Sequence, residues 1–416
     1  MLGKYTPEAR QFLVFSLLIS VAFSVFNLLF NLYMSGLGFS NSVIGLFNSL
    51  PALALIGVAL PFAAWADRIG YRPFLLVGML AALLGSAGLA VFGAPLPAVL
   101  AAGTFAFSLT VLDVLSFPLL AQVSDEAQRV SLFAVSQSVG WIAVLIGDLL
   151  GGLIPEAAAR GGNVSSASPA AIRTAFIATT ALVVLAVPFL ARAIRARTSR
   201  AAVLMPARGM LKVDIPRFSR LMLPGFLLGV GAGMFLTFVQ LYFAQRFKLT
   251  PGPIGTILAV GAAVTAVGTL AAPAISRRIG LTRTVGFAQM VGFPLILILA
   301  FVTSLPLATA VLYVRQVALN IQAPLVMVFG MDYVVPEERA RLSTALMVAD
   351  GIGVGGIGPL ISGFLQVWGG FQLAFSVAAV FYLLAGLTFV LLFGRIRLPS
   401  EARPAQVRGS NAGDAL

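Results

Sequence analysis

The sequence contains no cysteine and no histidine, and only 10% of its 416 residues are charged. The lack of cysteine excludes structural disulfides and thiolate metal sites. The lack of histidine removes the side chain that most often titrates near neutral pH, so a proton-coupled step must use a carboxylate. No carboxylates are paired at the spacing of metal ligands, and no phosphate-binding loop is present. The sequence therefore predicts no metal, no cofactor and no enzymatic activity.

Long apolar runs dominate the chain. Apolar residues make up 59% of it and the mean hydropathy is +1.01. An average soluble domain, by contrast, carries about 25% charged residues. Charged residues, Gly/Pro clusters and polar loops divide the runs into segments long enough to cross a bilayer as helices. We therefore predict an all-α integral membrane protein with twelve transmembrane helices, at 10–35, 41–65, 73–94, 97–121, 130–154, 172–194, 218–245, 253–275, 283–304, 306–332, 341–367 and 371–394.

The net charge of +13 follows the predicted topology rather than a nucleic-acid site. With the N-terminus placed in the cytoplasm, the inner segments hold most of the lysines and arginines. The outer loops hold only Arg160, Arg173, Arg246 and Lys248. We therefore predict a multi-pass protein of a bacterial cytoplasmic (inner) membrane with both termini cytoplasmic, in contact with membrane lipids and not with nucleic acid.

Two parts of the sequence repeat each other at an offset of about 210 residues. The passage 44–70 recurs in outline as 254–280, and both copies open with Ile-Gly and close with Arg-Ile-Gly. Further on, Glu126, Gly140, Gly147 and Gly152 recur at an offset of 211 as Glu337, Gly351, Gly358 and Gly363. A repeat of several spans in parallel order is typical of duplicated transporters. We predict six-helix halves at 1–194 and 218–396, a cytoplasmic basic linker at 195–217 and a disordered cytoplasmic tail at 397–416.

The turn between the second and third predicted spans carries a recognisable motif. Residues 63–72 read Ala-Ala-Trp-Ala-Asp-Arg-Ile-Gly-Tyr-Arg. This stretch resembles the loop motif Gly-x-Leu-x-Asp-Arg-x-Gly-x-Arg of the major facilitator superfamily, with Ala63 and Trp65 in place of the usual Gly and Leu. The resemblance implies that superfamily's fold, in which two six-helix halves are related by pseudo-twofold symmetry and alternate access to a central cavity.

The resemblance also implies a latch on the cytoplasmic side. In that superfamily the acidic residue of the motif, here Asp67, binds the N-terminus of span 11, where a helix favours negative charge. We expect the basic residues of the turn to pair with a carboxylate at the end of span 4. The repeat position of Asp67 holds Arg277, so only the first half retains the acid. The alternative is a solvated loop without this role. The predicted latch residues are Asp67, Arg68, Gly70, Arg72, Glu126 and Arg129.

A glycine-rich stretch in span 5 carries a second resemblance. Residues 147–152 are similar to the Gly-Pro-x-x-Gly-Gly motif of proton-driven exporters in the same superfamily, but Asp148 replaces the Pro. Small residues at this spacing allow close helix contact and bending. The predicted helix-packing residues are Gly147, Gly151 and Gly152 in the first half, and Gly358, Pro359 and Gly363 in the second.

Among the ionisable residues inside predicted spans, the proton-coupling candidates are Asp113, Asp148, Arg315 and Asp350. Such residues are costly in a bilayer and are functional candidates by default. We predict that Asp113 takes up and releases a proton, while Arg315 and Asp350 adjust its proton affinity or contact substrate. One alternative is a buried Arg315–Asp350 pair that neutralises itself.

A second alternative is that a nearby hydroxyl, from Ser108, Thr110 or Ser116, simply satisfies Asp113. Polar side chains on spans 1, 7 and 10 are candidates for the lining of the cavity, or they serve as hydrogen bonds between helices. Those candidates are Asn27, Asn31, Tyr33, Thr237, Gln240, Tyr242, Gln316 and Asn320.

These features together predict a secondary active transporter. The favoured function is proton-coupled export of small amphipathic or drug-like molecules by a monomer, with the substrate and protons as its partners. The alternative is an importer or uniporter of a polar or anionic solute held by Arg315.

Overall fold

A computed structural model describes residues 5–54, 70–123, 129–194, 215–269, 280–334 and 339–394. These ranges contain helices and short turns and no strand. Ten helical segments in them are long and apolar enough to span a membrane. One of these, Val348–Phe393, is 46 residues long and holds predicted spans 11 and 12. The start of predicted span 2 is helical at Asn41–Ala54, and its remainder lies outside the described residues.

The helices follow the predicted spans in order. The first six are α1 (Pro7–Gly36), α2 (Asn41–Ala54), α3 (Tyr71–Val91), α4 (Pro95–Val123), α5 (Arg129–Gly162) and α6 (Pro169–Ala193). The next are α7 (Ile215–Leu236), α8 (Val239–Phe247), α9 (Pro251–Gly268), α10 (Leu281–Phe301), α11 (Leu305–Tyr333) and α12 (Arg339–Gly351). A π-helical segment (Ile352–Ile357) leads into α13 (Gly358–Phe393).

Local sequence explains where several of these helices begin. Thr6 caps α1 by accepting a hydrogen bond from the Ala9 backbone N–H at 3.2 Å. Ser168 caps α6 in the same way through Ala171 at 3.3 Å. Each cap is followed by a proline at the start of the helix, where the missing N–H costs nothing.

Two predicted spans differ most from the observed helices. Helix α5 continues to Gly162 instead of ending at 154, because the alanines at 157–159 are strong helix formers. Predicted span 7 is broken into α7 and α8 at Thr237 and Phe238. The break predicted between spans 11 and 12 is present within α13: Gly369 and Gly370 leave helical geometry, and Gly370 has φ +63° with ψ −165°, a region that essentially only glycine adopts.

Contacts divide the chain into two compact units. The first is Met1–Leu211 with Thr237–Ala263, and the second is Lys212–Leu236 with Val264–Leu416. In the first unit α1 packs against α5 and α6, and α3 packs against α4 and α6. In the second, α7 packs against the π-helical segment and α13, and α10 packs against α11 and α13. The order of packing is the same in both units, while α8 and most of α9 fall in the first unit rather than in the predicted second half.

The backbone preserves the sequence repeat. Gly70 immediately precedes α3 with φ +97°, and Gly280 immediately precedes α10 with φ +87°. The two helices that follow are both 21 residues long. A positive φ suits glycine and few other residues, so the closing glycine of both copies has a structural reason.

The C-terminal end of α3 is bound to two other helices. Arg173 on α6 donates hydrogen bonds to the carbonyls of Ala90 at 3.0 Å and Val91 at 2.6 Å. Tyr33 on α1 donates its hydroxyl to the Phe92 carbonyl at 2.8 Å. These donors satisfy carbonyls that a helix C-terminus leaves without a partner. Arg173, one of the few basic residues predicted on the outer side, therefore has a capping role.

Candidate functional site

Two adjoining cavities lie inside the first unit, between α1, α4 and α5. One has a volume of about 410 Å³ and contains Asp113, and the other has about 470 Å³ and contains Asp148. Their linings share Ser20, Phe23, Leu109, Gln137 and Gly140, so the two cavities adjoin each other. Volumes of this size are typical of small-molecule sites.

A polar stripe on α1 forms one wall of this space. Ser16, Ser20 and Ser24 are four residues apart and therefore share one face of the helix. Ser16 and Ser20 line the Asp113 cavity, and Ser20 and Ser24 line the Asp148 cavity. The sequence analysis missed these serines, although their spacing in an apolar helix was a usable signal.

Asp113 lies on α4 in the wall of the 410 Å³ cavity. The three hydroxyls considered as its partners in the sequence analysis bond elsewhere. Ser108, Thr110 and Ser116 donate to carbonyls of their own helix at 2.6, 3.4 and 2.6 Å. No hydrogen bond or ion pair reaches Asp113 from the residues that the structure describes, so the hydroxyl alternative does not account for this carboxyl group.

Asp148 is buried on α5, with 8% of its surface exposed. Its Oδ1 accepts a hydrogen bond from the Ser24 hydroxyl at 2.8 Å. The Ser24 hydroxyl also lies 3.1 Å from the Val144 carbonyl. Within the described ranges this serine is the one hydrogen-bond donor to Asp148, and no basic side chain pairs with it. The substitution of aspartate for the usual proline thus places a carboxyl group at the cavity wall.

The asparagines of α1 separate into two roles. Asn27 lines the Asp148 cavity, and its backbone carbonyl accepts a hydrogen bond from the Gln240 side chain at 3.3 Å. Asn31 is 2% exposed, and its side-chain amide donates a hydrogen bond to the backbone carbonyl of Thr237. The Oδ1 of Asn31 accepts a hydrogen bond from the side chain of Asn48 at 2.8 Å. The Asn31 side chain therefore links α1 to α2 and to the backbone of Thr237. This is the second role predicted for the polar side chains, a hydrogen bond between helices.

The two candidate tyrosines of the first unit are packed in its interior. Tyr33 and Tyr242 are 0% and 1% exposed. Tyr33 is used at the end of α3, and the Tyr242 ring packs edge-on against Phe243 and Phe247 at centroid distances of 5.4 and 5.6 Å. Neither lines the two cavities.

Arg315 is buried in the second unit, with 3% of its surface exposed. Its guanidinium lies 4.4 Å from the Phe235 ring centroid and 5.4 Å from that of Tyr382, and it donates a hydrogen bond to the Tyr382 hydroxyl. Its Nε is buried without a partner. Asp350 lies on α12 beside Gly229, and in the described structure it forms no ion pair with Arg315. The self-neutralising pair is therefore not present.

The amides predicted on span 10 bond within the second unit. Gln316 accepts from the Thr265 hydroxyl at 3.3 Å, and Asn320 donates to the Gln316 carbonyl at 2.8 Å. A buried amide pair, Gln289 with Gln322 at 2.8 Å, joins α10 to α11. The sequence analysis did not pair these two glutamines, because nothing in a single chain shows which distant amides meet.

The predicted packing glycines sit at close helix contacts. A Cβ at Gly147 would collide with Ser24 on α1, and a Cβ at Gly151 would lie 2.7 Å from Leu28. In the second unit, a Cβ at Gly358 would lie 2.6 Å from the Val230 carbonyl oxygen on α7. The other predicted members, Gly152, Pro359 and Gly363, are buried.

The C-terminal part of α5, on the side that the sequence analysis predicts to be outer, is bound to the start of α9 through one carboxylate. Glu156 Oε1 accepts from the Thr250 hydroxyl at 2.5 Å, from the Gly252 N–H at 3.3 Å and from the Ser166 hydroxyl at 3.3 Å. A carboxylate is favourable at a helix N-terminus, where backbone N–H groups lack partners. We call these four residues the outer clamp.

The predicted cytoplasmic latch falls largely outside the described residues. Asp67, Arg68 and Glu126 are not among them, and Arg129 is described only as the first residue of α5. Gly70 has its positive φ, and Arg72 is exposed at the start of α3. The latch stays a prediction.

Serial apolar helices, two units packed in the same order and a polar cavity inside one of them define a polytopic membrane protein of the transporter class. The family model of the Major Facilitator Superfamily matches residues 12–355 and 221–413. The chain belongs to the Major Facilitator Superfamily. It is a transporter rather than an enzyme.

Solved structures of several different transporters have the same fold. A bacterial homologue of the human lysosomal transporter Spinster is 15% identical, with a TM-score of 0.74 over 92% of this chain and 96% of its own. A mutant of the nucleoside transporter NupG is 16% identical, with a TM-score of 0.74 over 93% and 100%. A bacterial homologue of the iron transporter ferroportin is 14% identical, with a TM-score of 0.70 over 92% and 98%. No curated protein matches the sequence significantly.

Proposed function

We propose that this transporter exports small amphipathic molecules in exchange for protons, and that Asp113 carries the proton. The observation that carries the proposal is the lining of the cavity around Asp113. It combines this carboxyl group with hydroxyl and amide groups and with the aromatic rings of Phe12, Phe23 and Phe133. Mixed polar and aromatic walls suit a molecule with one polar and one apolar end.

The chemistry of the chain supports a carboxylate as the proton carrier. There is no histidine anywhere in the sequence. Asp113 and Asp148 are the ionisable groups in the linings of the two cavities, and neither lining includes a lysine or an arginine. A carboxyl group in an apolar setting without a fixed counter-charge is expected to exchange protons rather than remain ionised.

The remaining assignments belong to the same proposal. The protein works as a monomer in a bacterial inner membrane with both termini cytoplasmic, and the predicted latch of Asp67 with its basic neighbours closes the cytoplasmic side. Asp350 and Arg315 adjust coupling or contact substrate in the second six-helix half. The packing glycines permit the two halves to rock.

One observation favours the alternative, import of an anionic solute at Arg315. Its buried guanidinium has no acidic partner in the described structure and an Nε without a hydrogen bond. Against it, the guanidinium is enclosed by Phe235 and Tyr382, and cation–π contacts of this kind already stabilise a buried cation. The acidic cavity supports export of a neutral or cationic substrate more strongly.

The test is transport by purified protein in proteoliposomes with an imposed pH gradient. A cationic, a neutral and an anionic amphipathic dye serve as probes, with and without the gradient. We expect gradient-driven movement of the cationic or neutral dye, loss of that movement in Asp113→Asn and normal movement in Glu8→Gln, a carboxylate outside the cavities. Gradient-driven transport that survives in Asp113→Asn would refute the role of Asp113, and transport of the anionic dye alone would establish the alternative.

A further inference from the structure

We propose that the cavity around Asp148 binds the charged group of an amphipathic organic cation, with Asp148 as its counter-charge and Trp141 as an aromatic wall. The proposal rests on the transport function above and names its substrate class. It assigns a second carboxylate, distinct from Asp113, to the substrate rather than to the proton.

The Asp148 carboxylate has few polar partners and no charged one among the described residues. It is 8% exposed, lies within a membrane-spanning helix and receives a single hydrogen bond, from Ser24, among the described residues. An ionised carboxylate in such a place is expensive unless a cation accompanies it. Since no described lysine or arginine does so, Asp148 is neutralised either by a proton or by a cation from outside the protein, and the features that follow favour an organic cation.

Trp141 lies on the same helix as Asp148. It precedes Asp148 by seven residues, close to two turns of helix, so both side chains lie on the same face of α5. Trp141, Phe23 and Asp148 line the same cavity. An aromatic face beside a carboxylate attracts organic cations through the ring quadrupole, and tryptophan is the strongest of the aromatic residues in this role.

The volume of the Asp148 cavity and the number of carboxylates in its lining also favour an organic cation. A volume of about 470 Å³ fits a drug-sized molecule. A single carboxylate lines this cavity, and in the described part of the chain no three acidic residues come together as metal ligands. A metal ion such as Ca²⁺ takes six to eight oxygen ligands. The cavity therefore suits an organic cation, whose charge is spread over carbon.

The Asp148 cavity adjoins the Asp113 cavity. Ser20, Phe23 and Gln137 line both cavities, so the two carboxylates lie in the space that these adjoining cavities form. A cation at Asp148 and a proton at Asp113 would each add one positive charge to that space. Two charges in a low-dielectric cavity repel each other, so binding of one favours release of the other. This repulsion supplies a reason for exchange rather than for transport in the same direction.

The test is equilibrium binding of radiolabelled tetraphenylphosphonium to purified protein in a neutral detergent. Unlabelled tetraphenylphosphonium and tetraphenylborate, ions of the same shape and opposite charge, serve as competitors. We expect saturable binding that the phosphonium displaces and the borate does not. Asp148→Asn should weaken binding about tenfold or more, the equivalent of one lost ion pair. Trp141→Leu should weaken it several-fold, Trp141→Phe should restore most of it, and Glu8→Gln should bind normally.

A second measurement needs only the wild-type protein. Carbodiimides modify carboxyl groups in apolar surroundings, and mass spectrometry locates the modified residue. We expect tetraphenylphosphonium, and not tetraphenylborate, to protect Asp148 from modification. Undiminished binding in Asp148→Asn, or modification of Asp148 that the phosphonium leaves unchanged, would refute the site. Binding at Asp148 without proton-driven transport would instead refute the proposed function and leave the site standing.

Discussion

Gly255 on α9 lies directly against the backbone carbonyl of Asp148 on α5. A Cβ at position 255 would overlap that oxygen, and it would also lie 3.0 and 3.1 Å from the Cα and N of Gly152. All three neighbouring atoms belong to the backbone, so no side chain can move aside. The absence of side chains on both helices therefore sets the distance between α5 and α9 at the level of Asp148.

The substitution Gly255→Ala should lower the thermal stability of the protein. Overpacking of a tight contact costs about 1–3 kcal/mol, more than the gain of about 1 kcal/mol when alanine replaces glycine in a helix. The melting temperature in detergent measures the effect. Gly103→Ala is the control, because a Cβ there meets nothing within 4 Å. Equal melting temperatures for the two variants would contradict the contact.

The outer clamp should stabilise the start of α9. Glu156→Ala removes the acceptor of Thr250 and of the Gly252 N–H, and loss of a helix cap of this kind costs about 0.5–2 kcal/mol. Glu156→Gln keeps a carbonyl acceptor and should lose less. The two melting temperatures are the measurement. A Gln variant as unstable as the Ala variant would mean that the charge, and not the hydrogen bonding, stabilises the clamp.

Cross-linking α2 to α8 should stop transport. Gln245 donates to Asn41 at 3.5 Å, and these residues belong to opposite halves of the predicted repeat. The chain has no cysteine of its own, so Asn41→Cys with Gln245→Cys gives one defined pair for a short, reducible thiol cross-linker. We expect dye transport in proteoliposomes to cease on cross-linking and to return after reduction.

Each single cysteine variant, treated with the same reagent, is the control and should remain active. Full activity in the cross-linked double variant would show that the outer ends of α2 and α8 do not separate during transport.

Arg315 and Tyr382 should behave as a coupled pair. Tyr382→Phe keeps the ring and removes the hydroxyl acceptor, which should cost about 1–3 kcal/mol because a buried charge loses its hydrogen bond. Arg315→Met combined with Tyr382→Phe should recover part of that loss, since no buried charge remains. Melting temperatures of the four proteins in a double-mutant cycle measure the coupling. Additive effects would rule it out.

The elements that repeat or run apolar for a full span could be predicted from the sequence. The spans, the glycine that precedes α3 and its copy before α10, and the intramembrane position of Asp113 and Asp148 follow from hydropathy and from residues at fixed offsets. These features are local, because bilayer thickness and backbone geometry act on short stretches of chain.

The choice of side chains that line the cavity could not be predicted in the same way. Tyr33 and Asn31 share the polar character of Asn27, but their partners, Phe92 and Thr237, are brought to them by tertiary packing. Conversely, a serine in an apolar helix can satisfy its hydroxyl on its own backbone, so Ser20 gives no sign from composition alone that it faces a cavity. Contacts between distant helices separate Tyr33 and Asn31 from Asn27, whereas for Ser20 the regular spacing with Ser16 and Ser24 was the one signal in the sequence.

The corner at Gly369 and Gly370 has a mechanical consequence. It joins the two arms of α13 without an intervening loop, in a backbone conformation that resists other residues. The arms are therefore joined directly, and displacement of the arm ending at Trp368 passes to the following arm through these two glycines alone. A flexible insertion at this corner would uncouple the arms and turn one moving part into two.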